Sequence, residues 1–186
     1  MKIILFIALL FSLVSCSLYM KKSRQLGEDY KYLSSEAFAQ KYFTLYKTKN
    51  KISDSTFFDK VYYVSQNNAR ASYVSFNKNN FTYESNPFDV HQQNNISNEE
   101  TSKPFQIKRA DYYSIQDSII KIESIAQSSG DVYTIIREGI INNDKITLLK
   151  KYNSGSWIKK DINKEWTNID NLKVYQLGED FYVGLK

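Results

Sequence analysis

The chain has 186 residues, 42% hydrophobic and 24% charged, which excludes a disordered polymer and allows one domain of ordinary size or at most a small pair. One Cys excludes a disulfide framework and a cysteine-rich zinc site, and one His leaves metal or triad chemistry a single imidazole, His91. The net charge of +5 is mild, and the basic pairs Lys21-Lys22, Lys150-Lys151 and Lys159-Lys160 are scattered, not gathered into a nucleic-acid-binding stripe.

The N-terminus carries the strongest local signal. Lys2 precedes a continuous apolar run from Ile3 to Phe11, extended by Leu13-Val14. Such a run suits the hydrophobic region of a secretory signal and is short of the ~20 residues that span a bilayer. It ends in Leu13-Val14-Ser15-Cys16. These four residues resemble the lipobox of bacterial lipoproteins, in which Leu, a small or apolar residue and a small residue precede the Cys. The resemblance implies a signal peptide over 1–15, cleavage before Cys16 and acylation of that residue. Several acyl chains on one residue hold firmly to a membrane. Lipidation would also explain why the chain's single thiol sits there. Residue 17 is Ser and not Asp, and Lys21, Lys22 and Arg24 follow. By analogy with that family the expected location is the outer membrane, facing the periplasm.

Residues 16–32 read as the lipidated Cys and a polar tether, and 33–186 as a single domain. Phe38, Tyr42, Leu45 and Tyr46 recur at i, i+4, i+7 and i+8, the spacing of one helical face, and Ser34 or Ser35 can cap its start. The aromatic face is expected to plug against the core.

Beyond Lys60 the pattern becomes short strands. Val61 to Val64, Ala71 to Phe76 and Phe81 to Glu84 are the first three, with Asn77-Lys78-Asn79-Asn80 as a hairpin turn. Residues 85–104 are polar and aperiodic, an unusually long loop that contains His91. Strands resume over Asp111–Ile115, Ser118–Ile122, Val132–Gly139, Ile146–Leu149, Leu172–Leu177 and Phe181–Leu185. Asp117, Asp144 and Asp170 each stand two residues before an apolar residue entering a strand, which is repeated hairpin chemistry rather than a ligand loop for a metal. Strand Val132–Gly139 is apolar on both faces, so its outer face must be covered by this chain or by a partner. The fold class expected is mainly β, an antiparallel up-and-down meander with one short N-terminal helix.

Tyr73-Val74-Ser75-Phe76 with its Asn turn, the run from Tyr112 to Ile119 and the run from Gly139 to Ile146 make the mature chain resemble the lipocalin-like lipoproteins of Bacteroidetes-type bacteria. The resemblance implies a small barrel or strongly curved sheet. It fixes no activity, because fold does not fix function. Catalysis is not expected. Cys16 is committed to lipid, His91 lies in the polar loop, and Glu99-Glu100 and Glu179-Asp180 are adjacent pairs at loops. No cofactor or metal is expected. Two readings remain. One is a lipid-anchored binding module that holds a small apolar or amphipathic ligand, with Tyr73, Tyr113, Tyr133 or Tyr175 lining its cavity. The other is an interaction or structural subunit of an envelope complex, with a packed interior and an exposed aromatic patch.

Overall fold

The computed structural model describes residues 2–47, 60–65, 70–85, 87–89, 104–105, 111–143, 145–169, 172–177 and 180–185, with side chains placed at 15, 17–47, 60–65, 70–85, 87, 89, 111–143 and 145–169. His91, Asp144, Asp170 and the Glu99-Glu100 pair lie outside the described residues.

Among the described residues three helices come first, α1 (Lys2–Tyr32), α2 (Ser35–Tyr42) and α3 (Thr44–Lys47). The segment expected as a polar tether is thus helical. Its second half lies on the barrel. Leu26 is buried, Ser23 Oγ accepts the Val132 N–H at 2.7 Å, and a Cβ on Gly27 would come within 3.2 Å of Val132 Cγ2. Ser34 caps α2, its Oγ accepting the Ala37 N–H at 3.2 Å. Phe43, with extended φ −83° and ψ 127°, stops α2. The single helix read from the aromatic spacing is therefore two short ones joined at a bend.

Among the described residues twelve strands follow, of which eight form the barrel: β1 (Val61–Ser65), β2 (Arg70–Phe76), β3 (Phe81–Glu84), β6 (Asp111–Gln116), β7 (Ile119–Ser128), β8 (Asp131–Asn142), β9 (Lys145–Asn153) and β10 (Lys160–Asn168). Each pairs antiparallel with the next along the chain, and β10 returns to β1 with Val64 opposite Trp166. The sheet therefore closes on itself as an up-and-down barrel without free edges. β4 (Phe88–Asp89) continues the pairing of β3 along β2, and β5 (Pro104–Phe105) joins β11 (Leu172–Leu177) and β12 (Asp180–Leu185) in a separate three-stranded sheet. The last strands thus stand apart from the ring. Closure falls to β10.

The turns follow their residues. Asn80, Asp117, Ser129 and Asn143 all take positive φ between 51° and 66°, and Gly130 follows Ser129 at 86°. Two consecutive positive φ values give the primed turn whose twist matches a two-residue hairpin. Gly139 is demanded by contact. A Cβ there would meet Thr147 O at 2.4 Å, at the register shift between β8 and β9.

Alternation along the strands sorts side chains into two cores. Inside, Tyr62, Val64, Val74, Phe76, Tyr113, Ile120, Ile122, Ile146, Leu148 and Trp166 form one buried cluster. Outside, Phe38, Ala39, Phe43 and Leu45 of the helical segment pack with Leu26 of α1 on Tyr112 and Ile136 of the barrel wall. This is the plug expected of the aromatic face. It also answers the two-sided apolarity of β8, whose outward Val132 and Ile136 lie beneath the helices.

Glu123 is a fully buried carboxylate on that outer face. It accepts the Thr44 hydroxyl at 3.1 Å, the Leu45 N–H at 2.8 Å and the Ser154 hydroxyl, so three donors from α3 and the β9–β10 connection satisfy it.

Candidate ligand cavity

The barrel interior is filled at one end and open at the other. The filled end is aromatic. Phe76 meets Tyr113 at 4.9 Å and Tyr62 at 5.5 Å, edge to face, and Tyr113 Oη donates to Asn77 O at 2.6 Å. At the other end a cavity of about 790 Å³ opens among Val64, Ser65, Glu84, Ile135, Arg137, Leu148, Lys151, Ile162, Lys164 and Trp166. Its volume falls in the range of ordinary small-molecule sites. Ser156, Ile158 and Lys160 from the β9–β10 connection and the start of β10 form part of its rim.

Strand alternation explains this lining. Ile135, Arg137 and Gly139 of β8 face inward, because Ile122 lies opposite Arg137 and Ile120 opposite Gly139. Leu148, Lys164 and Trp166 reach the same space from β9 and β10, and Val64 from β1.

Arg137 organises the polar part. Its Nη2 donates to Asp111 Oδ2 at 2.9 Å and to Ser124 Oγ at 2.7 Å, while the Ser124 hydroxyl donates to the same carboxylate at 2.6 Å. The guanidinium carbon lies 5.5 Å from the Trp166 ring centroid, a cation–π contact in a desolvated setting. Ser72 Oγ donates to Glu84 Oε1 at 2.8 Å on the adjoining wall. Burial pushes the Asp111 carboxyl up to about 6, against the pull of Arg137, and the Glu84 carboxylate adds to the rise. Arg137 Nε and Trp166 Nε1 are buried N–H donors without hydrogen-bond partners. The lining thus combines apolar walls, three lysines and surplus donors with one carboxylate, Glu84. Such a lining suits an amphipathic molecule whose polar end accepts hydrogen bonds or carries negative charge.

The tyrosines singled out in the sequence are dispersed. Tyr73 points outward and pairs across strands with Tyr63, ring centroids 6.5 Å apart. Tyr113 points inward but is wholly buried in the filled end. Tyr133 shares the inward parity of Ile135 and is half-buried, yet it is not among the residues lining the cavity. Tyr175 is on β11, where only the backbone is described. The tyrosine of the described lining is Tyr152. Its hydroxyl donates to Glu138 Oε2 at 3.1 Å, and burial pushes its own pKa up to about 12. Cys16 is part of α1, described there by its backbone.

Sequence reading passed over Asp111, Arg137 and Trp166. A signal for Arg137 was present, since it is the one basic residue in the apolar run Val132–Gly139 and shares the parity of Tyr133 and Ile135. No short motif marks Asp111, because its partners come from β7 and β8.

Among the described residues, no group of three or more His, Cys, Asp or Glu side chains is placed to hold a metal ion, and no helix is long and apolar enough to cross a membrane. No family model, curated protein or solved structure matches the chain.

Proposed function

We propose that this is a lipid-anchored, non-enzymatic binding protein of the bacterial cell envelope, carrying a small amphipathic ligand in the open end of its barrel. The observation that carries this reading is the cavity of about 790 Å³, with Val64, Ile135, Leu148 and Ile162 as apolar wall and Arg137 and Trp166 among its lining. A purely structural barrel would fill this space with side chains, as it does at the other end, because voids forfeit contacts. The anchor is Cys16 at the end of the lipobox-like Leu13-Val14-Ser15, and the expected location is the outer membrane.

Native mass spectrometry of the full chain, purified in mild detergent from its own envelope, tests the reading. The expected result is a small adduct that survives transfer and is lost on unfolding, with an added acyl mass mapped to Cys16 that disappears in Cys16→Ser. A clean protein mass with a stoichiometric protein companion would replace the carrier with a subunit of an envelope complex.

A further inference from the structure

Cavity, helix and hairpin share one end of the barrel. Strands alternate in direction, so the β7–β8 turn (Ser129-Gly130) and the β9–β10 connection (Ser154–Lys159) lie at the same end. The cavity rim includes Ser156 and Ile158, so this is also the open end. α1 reaches the barrel there. Met20, Ser23, Arg24 and Gly27 border a groove with Ser129, Gly130, Asp131 and Val132. N-terminal to Met20 the helix runs back to the proposed anchor Cys16 in four residues, about 6 Å at 1.5 Å per residue.

The β9–β10 connection presents apolar side chains outward on an ordered frame. Gly155 takes φ 81°, the Ser156 N–H donates to Asn153 O at 2.9 Å, and the Ile158 N–H donates to Ser156 Oγ at 3.1 Å. Trp157 is 89% exposed and Ile158 66%. The pairs Lys150-Lys151 and Lys159-Lys160, scattered in sequence, meet on this hairpin, with Lys160 opposite Lys151. Lys159 is held back by Glu138, 3.2 Å away. The same combination recurs on α1, where exposed Leu18, Tyr19 and Met20 adjoin Lys21, Lys22 and Arg24. Aromatic and apolar tips flanked by lysines match a bilayer interface, where Trp and Tyr sit at headgroup level and lysines meet anionic lipid. Lysine clusters with exposed apolar tips favour such a surface over a protein face, whose centre is depleted of lysine.

We propose that the barrel docks mouth-first on an anionic lipid surface, Trp157 and Ile158 entering the headgroup layer beside Leu18 and Tyr19, so that the cavity opens onto the bilayer. This rests on the membrane-bound reading above and adds the orientation. A ligand could then pass between lipid and cavity without crossing water.

The chain's two tryptophans allow the test, since Trp157 is exposed and Trp166 is 2% exposed. The acylated protein that begins at Cys16 is reconstituted on phosphatidylcholine vesicles with or without phosphatidylglycerol, some with brominated acyl chains. On anionic vesicles, the Trp157 component of the emission should shift to the blue and be quenched by bromine, while the Trp166 component stays unchanged. Trp157→Ser should abolish the quenchable component. Lys150, Lys151 and Lys160 changed together to Gln should weaken the preference for anionic vesicles, at about fivefold per lysine, leaving the part due to Lys21, Lys22 and Arg24. Protein bound to vesicles with Trp157 unquenched and unshifted would overturn the orientation alone and leave the exposed tip to a protein partner. Protein that fails to associate with either vesicle would overturn the orientation and the membrane-bound reading together.

Discussion

At the scale of single residues, two carboxylates, Asp111 partly buried and Glu123 fully buried, do different things. Asp111 lies inside, bound to Arg137 and Ser124, and burial lifts it to about 6. In the unfolded chain it ionises near its ordinary 3.8, so between these values the folded form binds more protons. The stability it contributes is complete below pH 3.8 and is lost as pH rises through about 6, by at most about 3 kcal/mol. Thermal melts from pH 4 to 7 should show that slope in the native chain and lack it in Asp111→Asn; equal slopes would refute the raised pKa. Protonation also removes a negative charge beside Arg137. Affinity for an anionic ligand should therefore rise below pH 6. Glu123 lies outside, clasped by Thr44, Leu45 and Ser154. Glu123→Ala strands these donors and empties a buried site, at a cost of about 2–4 kcal/mol. Urea denaturation should show that loss, and a loss under about 0.5 kcal/mol, the level of a neutral surface change, would mean α3 does not depend on the carboxylate.

At the scale of elements, the register of β8 against β9 hangs on Gly139. An alanine Cβ would lie 2.4 Å from Thr147 O, a backbone atom that cannot swing aside. Gly139→Ala should destabilise by about 1–3 kcal/mol, read as a lower melting temperature. An unchanged melt would mean the two strands can slide apart at the register shift. The hairpins themselves were legible in sequence because their turn residues and two-residue alternation are local. The Asn77–Asn80 turn, Asp117 and Gly130 all stand where turn chemistry places them. The break at Phe43 was not legible, since Phe38, Tyr42, Leu45 and Tyr46 keep helical spacing across it. It is tertiary packing, with Phe43 buried against Phe38 at 5.6 Å, that bends the chain. The helical state of residues 17–32 was hidden in the same way. Leu26 is the one buried apolar residue of that stretch, too few to show a periodic face.

At the scale of the whole molecule, the barrel is a cup. Its floor is Tyr62, Phe76 and Tyr113, and its open end has Arg137 and the lysines. The pattern of short strands and turns announced a β-rich fold but not which rings would fill the floor. Inward parity depends on pairing between strands far apart in sequence. That is why Tyr113 fell in the floor and Tyr73 outside, although both stood among the candidate lining residues. The cup geometry makes a direct prediction. Ile162, partly buried and lining the cavity, should accept Trp from the empty side. Ile162→Trp should keep the melting temperature within a few degrees and abolish any adduct seen by native mass spectrometry. Retention of the adduct would place the ligand elsewhere.

Ring closure by β1 and β10 also sets an order of events in time. Val64 finds Trp166 across about a hundred residues, so the six barrel strands between them must be made and aligned before the two ends meet. Until residue 168 has emerged, a growing or threading chain carries two raw strand edges, each able to pair with a neighbour. The final seam is therefore the slow step, and truncation before β10 should yield clumped material instead of a smaller barrel.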